Sequence, residues 1–188
     1  MKKRIIIGIS GASGIIYGIR LLELLADTEF ETHLIISKAA QLTRAYESHL
    51  SATELADLAD VTYRIDDVAA SLSSGSYRTL GMIIAPCSMK TLASIANGLS
   101  SNLLTRAAEV VLKERRKLVL LARETPLHLA HIENMKKVTE MGAIVAPPVP
   151  AFYNQPQSLD DIVNHTAGRV LDLFDIDVHA VRRWKNDT

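Results

Sequence analysis

The stretch Gly8-Ile-Ser-Gly-Ala-Ser-Gly14 has the residue types and spacing of a turn that holds an anion. It follows the apolar run Arg4-Ile-Ile-Ile7 and precedes a helical repeat of Ile15, Ile16, Ile19, Leu22 and Leu25. Ile5 to Ile9 therefore reads as a buried parallel strand and Ile15 onward as a helix. Backbone N–H groups at the start of such a helix, reinforced by its dipole, favour a negative group, most often a phosphate. The glycines are three apart, unlike G-x-G-x-x-G, and no Gly-Lys-Ser/Thr completes a P-loop. Ser13 adds a hydroxyl to the turn. A tight strand–helix turn without a ligand is the ordinary alternative.

Similar polar turns follow other apolar runs: Ser37-Lys38, Cys87-Ser-Met-Lys-Thr91 and Arg123-Glu124. Three of the four turns carry a hydroxyl at a helix start, where an N-cap is the default role. In a doubly wound sheet these positions share the rim where ligands bind, so together they favour a phosphate-bearing cofactor. A dinucleotide site wants an acidic residue closing the second strand, and this chain has Ser37-Lys38 there. Lys38 would suit the 2′-phosphate of NADP, but a mononucleotide such as FMN suits a short hydroxyl-rich loop better.

Positioning these turns requires alternating strands and helices. Strands are predicted over 4–9, 32–36, 80–85, 117–122 and 143–146. Helices are predicted over 14–26, 38–49, 52–59, 88–97, 102–115, 126–141 and 159–174. The fold class is α/β: one Rossmann-like domain spanning 1–188, a three-layer sandwich around a mostly parallel sheet. Thr125-Pro126 reads as an N-cap with proline at the first helical position, and Gly142 as the stop of that helix. Ser158-Leu-Asp-Asp161 reads as an acidic capping box. Leu159, Ile162, Val163, Val170, Leu171 and Phe174 form the apolar face of the last helix, which leaves Arg169 towards solvent or a subunit contact. Pro147 to Pro156 holds four of the six prolines and reads as a stiff arm carrying Phe152 and Tyr153. Ser73-Ser-Gly-Ser-Tyr77 reads as a flexible stretch, serving as a lid or a subunit contact.

Composition narrows the classes. The chain has 188 residues, 48% of them hydrophobic, enough for a sizeable core. Its 21 basic and 21 acidic residues cancel, which disfavours nucleic acid or an anionic membrane as partner. No apolar run approaches the ~20 residues of a membrane span. The first strand leaves no room for a signal peptide, and one cysteine suits a reducing compartment, so a cytoplasmic protein is expected.

Arg106 and Lys113, seven apart, project from one helix face with Glu109 between them, the pattern of a surface ion-pair ladder or of an anion site. His128-x-x-His131 lacks a third ligand at metal spacing and reads as a solvent-facing pair. Cys87 reads as a small buried residue rather than a reactive thiolate.

Taken together, Gly11-Ala-Ser-Gly14, Ser37-Lys-Ala-Ala40, Pro86 to Leu92, Arg106 to Arg116, Arg123-Glu-Thr-Pro126 and Pro150 to Ser158 resemble the UbiX-type flavin prenyltransferases over nearly the whole chain. The resemblance implies an enzyme that joins the dimethylallyl group of dimethylallyl monophosphate to N5 and C6 of reduced FMN. The prenylated FMN would serve a UbiD-type decarboxylase, often in ubiquinone synthesis. It implies no metal, and the chain has no aspartate-rich diphosphate motif. It implies that Gly11, Ala12, Ser13, Ser37, Ser88, Met89, Lys90, Thr91 and Arg123 hold FMN. Tyr153 and Arg169 would bind the prenyl phosphate, helped by Arg106 and Lys113 from the same or a neighbouring subunit of a dodecamer. Ser13 and Glu124, with Glu47 next, are the candidates for acid and base.

Two other readings share the flavin loops. An FMN-dependent decarboxylase of the cysteine-decarboxylase type would carry a Pro-Ala-Ser-Ala-Asn-Thr-type segment and an early histidine. Here the turn is Pro86-Cys-Ser-Met-Lys-Thr91, and the first histidine is His33 within a strand. A non-catalytic flavin carrier would have less reason to keep Arg106, Lys113, Tyr153 and Arg169.

Overall fold

Six apolar segments pair into one sheet: β1 (Lys3–Ile9), β2 (Phe30–Ile36), β3 (Val61–Tyr63), β4 (Gly81–Cys87), β5 (Lys117–Ala122) and β6 (Ile144–Val145). Their order is β3-β2-β1-β4-β5-β6, and every pairing is parallel. The computed structural model describes residues 3–178 and residue 181. Among these the helices are α1 (Ile15–Leu25), α2 (Lys38–Glu47), α3 (Ala52–Asp57), α4 (Met89–Ala96), α5 (Leu103–Lys113), α6 (Leu129–Glu140) and α7 (Leu159–Asp172). The five predicted strands are present. β3 is an additional three-residue edge strand, too short to leave a periodic signal.

Alternation along the strands separates two cores. Ile5, Ile7, Ile9, Ile83 and Leu121 face α1 and α7, while Ile6, Met82, Ile84 and Leu120 face α4, α5 and α6. Every residue of β4 is buried, as a central parallel strand requires. Burying each of these large side chains contributes about 1.5–3 kcal/mol. From β1 the chain runs to β2 on one side and later to β4 on the other. The crevice at this switch point opens between their carboxyl ends.

Most predicted boundaries stand. Ser158 Oγ accepts the Asp161 N–H at 3.1 Å, and Asp161 Oδ2 accepts the Ser158 N–H at 3.0 Å, completing the acidic capping box. Gly142, at φ +102°, follows α6. The start of α6 is a correction: Thr125–Pro126 is a cis bond and the helix begins at Leu129, capped by His128. The apolar face of α7 needs another, since Leu159 is 81% exposed while His165 is buried. The 73–77 stretch is tied down, because the Arg116 guanidinium donates to the carbonyls of Tyr77 (2.8 Å) and Gly75 (2.7 Å).

A polar cluster stands around the buried His33 near the sheet edge. His33 Nε2 contacts Glu31 Oε1 at 2.8 Å and Nδ1 the Tyr63 hydroxyl at 3.0 Å, and Arg4 donates to the same Glu31 oxygen. Burial holds the His33 pKa below its ordinary value, against the pull of Glu31. An unfolded histidine takes up a proton as pH falls through about 6.5. The folded one resists, so stability falls below that pH. Urea midpoints are expected to drop between pH 7.5 and 5.5, with a shallower drop in His33→Gln. An equal slope in both proteins would remove His33 as the cause.

Candidate active site

The turns at the carboxyl ends of β1, β2, β4 and β5 are built by local chemistry. Ser10 is buried where β1 ends; its hydroxyl donates to the Pro86 carbonyl at 2.9 Å and accepts the Ser88 N–H at 2.7 Å, tying β1 to β4 across the switch point. Ser37 caps α2 by accepting the Ala40 N–H, and Ser88 caps α4 by accepting the Thr91 N–H. Both serines are thus caps on the rim. Gly11 passes so close to α2 that a Cβ there would stand 2.3 Å from the Ala39 Cβ. Arg123 is fixed at the rim by its N–H bond to the Cys87 carbonyl.

The start of α1 departs from expectation. Its N–H groups at Gly14 and Ile15 donate to Glu47 Oε2 at 2.8 and 3.2 Å. A carboxylate of the chain itself therefore takes the place foreseen for a phosphate, because the end of α2 returns to this turn. Burial works against the ionisation of Glu47. Hydrogen bonds from Ser13, Gly14 and Ile15, with the charge of Arg123, outweigh it and hold the carboxyl below its ordinary pKa. Glu47 is thus a carboxylate at neutral pH, hydrogen-bonded by Ser13.

Two clefts flank this turn. One, of about 310 Å³, is lined by Gly11, Ser37, Ser88, Lys90, Thr91 and Asn102. The other, of about 420 Å³, is lined by Ser13, Tyr17, Arg123, Pro148, Asp160 and Ile162. Hydroxyls, a lysine and an arginine beside apolar walls, around a turn that only glycine can make, fit a phosphate-bearing aromatic cofactor such as FMN. Ala12 is half-buried in the turn between the clefts and Met89 half-buried at the first turn of α4. Glu124 is exposed, and its carboxylate accepts the Thr125 N–H at 3.1 Å instead of lining either cleft. Ser10 and Tyr17 were not singled out in the sequence. Ser10 reads there as one more small turn residue, and Tyr17 as part of the helical repeat.

The four residues assigned to the prenyl phosphate are divided. Arg106 and Lys113 lie on α5; Arg106 pairs with Glu109 at 3.0 Å and Lys113 pairs with Glu114. Tyr153, on the arm, and Arg169, on α7, lie on the opposite face of the sheet, where Arg169 pairs with Asp172 at 2.6 Å. One chain does not bring these four together. The arm itself is extended, with Phe152 72% exposed.

Cys87 is fully buried, and burial pushes its thiol up to about 12. The folded protein is expected to resist iodoacetamide at pH 8 and to react once denatured; rapid alkylation of the native protein would contradict this burial. His128 is exposed and His131 half-buried, with their rings stacked at 3.5 Å.

Comparison with known proteins agrees with this geometry. The Flavoprotein family model matches residues 1–171. The flavin prenyltransferase UbiX of Escherichia coli K12 is 59% identical over 186 residues, covering 97% of this chain and 98% of that protein. The crystal structure of AnUbiX (PadA1), in complex with FMN and dimethylallyl pyrophosphate, superposes with a TM-score of 0.97 at 47% identity over the full length of both chains. A dodecameric FMN-dependent UbiX-like decarboxylase from E. coli O157:H7 superposes with a TM-score of 0.95 at 49% identity, covering 97% of this chain and all of that one. The FMN-dependent cysteine decarboxylase TvaF, at 17% identity and a TM-score of 0.63 over 89% of this chain and 99% of that one, shares the fold alone. The hydroxyl-rich rim, the flavin-sized clefts and full-length identity to a named enzyme converge: this chain belongs to the Flavoprotein family and, within it, to the UbiX-type flavin prenyltransferases.

Proposed function

We propose that this chain transfers the dimethylallyl group of dimethylallyl monophosphate to N5 and C6 of reduced FMN, without a metal, and passes prenylated FMN to a UbiD-type decarboxylase. The observation that carries the reading is the ionised Glu47, hydrogen-bonded by Ser13 and facing Arg123, at the turn between two flavin-sized clefts. Reduced FMN supplies the nucleophilic atoms and an aromatic face for the allylic cation. The chain supplies charge and proton transfer.

Gly11, Ala12, Ser37, Ser88, Met89, Lys90, Thr91 and Arg123 hold the flavin. As the allylic C–O bond breaks, negative charge grows on the departing phosphate. Arg106, Lys113, Tyr153 and Arg169 stabilise it with donors fixed in advance. Ser13 relays a proton from the flavin to Glu47, which acts as base because it is ionised. Glu124, one residue beyond Arg123, exchanges its bond to the Thr125 N–H for the phosphate and, once it has taken up a proton from solvent, passes that proton to it. Because α5 and α7 lie on opposite faces of one chain, the phosphate site forms where subunits of a homododecamer meet. Among the described residues no helix is long and apolar enough to cross a membrane; the reaction is assigned to the cytoplasm.

The test is anaerobic incubation with reduced FMN and dimethylallyl monophosphate, without added metal, followed by mass spectrometry of the released flavin. Gain of one five-carbon unit supports the transferase. Unmodified FMN with the monophosphate, but modified FMN with the pyrophosphate, would correct the donor. Unmodified FMN with both would overturn the reading.

A further inference from the structure

Beside the proline-rich arm, α7 buries a histidine with an unmet hydrogen-bonding atom. His165 is 6% exposed. Its Nε2 lies 3.2 Å from the Tyr153 hydroxyl, and the two rings meet edge to face with centroids 5.5 Å apart. Its buried Nδ1 has no partner among the described residues. Arg169 follows four residues later on the same side of α7. Burial and then the charge of Arg169 disfavour protonation, opposed by Asp172, and leave the imidazole neutral at neutral pH.

A neutral imidazole has one proton and two nitrogens to carry it. On Nδ1 the proton would be a buried donor with nothing to accept it, at a cost of about 1–3 kcal/mol. On Nε2 it is donated to the Tyr153 oxygen, and Nδ1 keeps only a lone pair, the kind of unmet group that folded proteins tolerate more often. The proton therefore belongs on Nε2. This choice sets the polarity of Tyr153. A phenol that accepts from the imidazole directs its own O–H elsewhere. A phenol that donates to the imidazole would turn only lone pairs towards an anion and repel it.

We propose that His165 is a positioning residue, whose Nε2–H holds the Tyr153 phenol as a hydrogen-bond donor to the prenyl phosphate. The proposal rests on the functional reading above, in which Tyr153 and Arg169 take that phosphate. It deepens that reading by assigning a role to a residue that touches neither substrate. His165 also links the arm to α7, so the donor on the arm and the guanidinium on the helix keep a fixed spacing.

The experiment varies dimethylallyl monophosphate at saturating reduced FMN for four proteins: His165→Leu, His165→Gln, Tyr153→Phe and the Leu/Phe double variant. His165→Leu is expected to raise the KM for the prenyl phosphate about tenfold, the size of one lost hydrogen bond. Its kcat falls as well, since the same phenol donor stabilises the departing phosphate, while its affinity for reduced FMN is unchanged. His165→Gln, whose amide N–H reaches the place of Nε2, recovers most of the loss. In the Tyr153→Phe background His165→Leu costs nothing further, because both act through one contact. An unchanged KM in His165→Leu, or fully additive effects, would overturn the proposal. No effect of Tyr153→Phe itself would instead remove Tyr153 from the phosphate site, and with it the reading on which the proposal rests. The 15N resonances of His165 in histidine-labelled wild-type protein give a test independent of any variant's folding. A protonated Nε2 with a bare Nδ1 is expected, and the opposite tautomer would refute the assignment.

Discussion

Assemblies mixed from equal amounts of Lys113→Ala and Arg169→Ala subunits are expected to make prenylated flavin, although neither variant makes it at a useful rate alone. Lys113 ends α5 and Arg169 lies near the end of α7, and these helices cover opposite faces of the sheet. A phosphate that needs both charges must draw them from different subunits. Removing one preorganised charge from the departing group costs about 10²–10³ in turnover. In random mixtures about a quarter of such two-subunit sites keep both native residues, so activity rises far above either parent. Reduced FMN should bind all three assemblies alike, because neither residue lines the hydroxyl-rich clefts. Mixtures as inactive as their parents would show that the two charges do not meet across subunits.

Glu47→Gln is expected to slow product formation by about 10²–10⁴, the range for loss of a positioned base. The amide oxygen still accepts the N–H groups of Gly14 and Ile15, so the turn and flavin affinity survive while the basic group is gone. Ser13→Ala should fall by a similar factor, and the double variant little further, because the two act as one relay. The substitution also changes acid stability. Glu47 titrates below an ordinary carboxyl when folded, so its contribution is present above the unfolded pKa and lost as pH falls through the folded one. Glu47→Gln should therefore flatten that acid limb. Single-turnover rates within a few-fold of wild type would exclude Glu47 as the base.

The sheet and its rim were legible in the sequence because their signals are strong. Runs such as Ile5 to Ile9 and the serines at 37 and 88 each carry a local physical reason, burial in one case and capping in the other. What stayed hidden depends on contacts distant in the chain. Glu47 reaches the start of α1 across 33 residues, and no spacing rule announces that a carboxylate will fill that place. Ser10 bonds to Ser88 across 78 residues, so its part in closing the switch point is a tertiary fact. β3 has only three residues and depends on β2 as its template. His128 is extended, at φ −106° and ψ 170°, so α6 starts at Leu129, where an N-cap followed by proline pointed to Pro126.

The Ser10 hydroxyl, held between the Pro86 carbonyl and the Ser88 N–H, has a kinetic consequence. It fastens together the two strand ends between which the flavin is to be seated, and it does so with no flavin needed to order them. A receptor assembled in advance loses little conformational entropy on capture. Stopped-flow traces of flavin association should then be single exponentials with rates linear in flavin concentration, showing no plateau from a prior opening step. Ser10→Ala, which leaves only the Ser10 N–H bond to the Pro86 carbonyl (3.2 Å) between the two ends, should introduce that plateau.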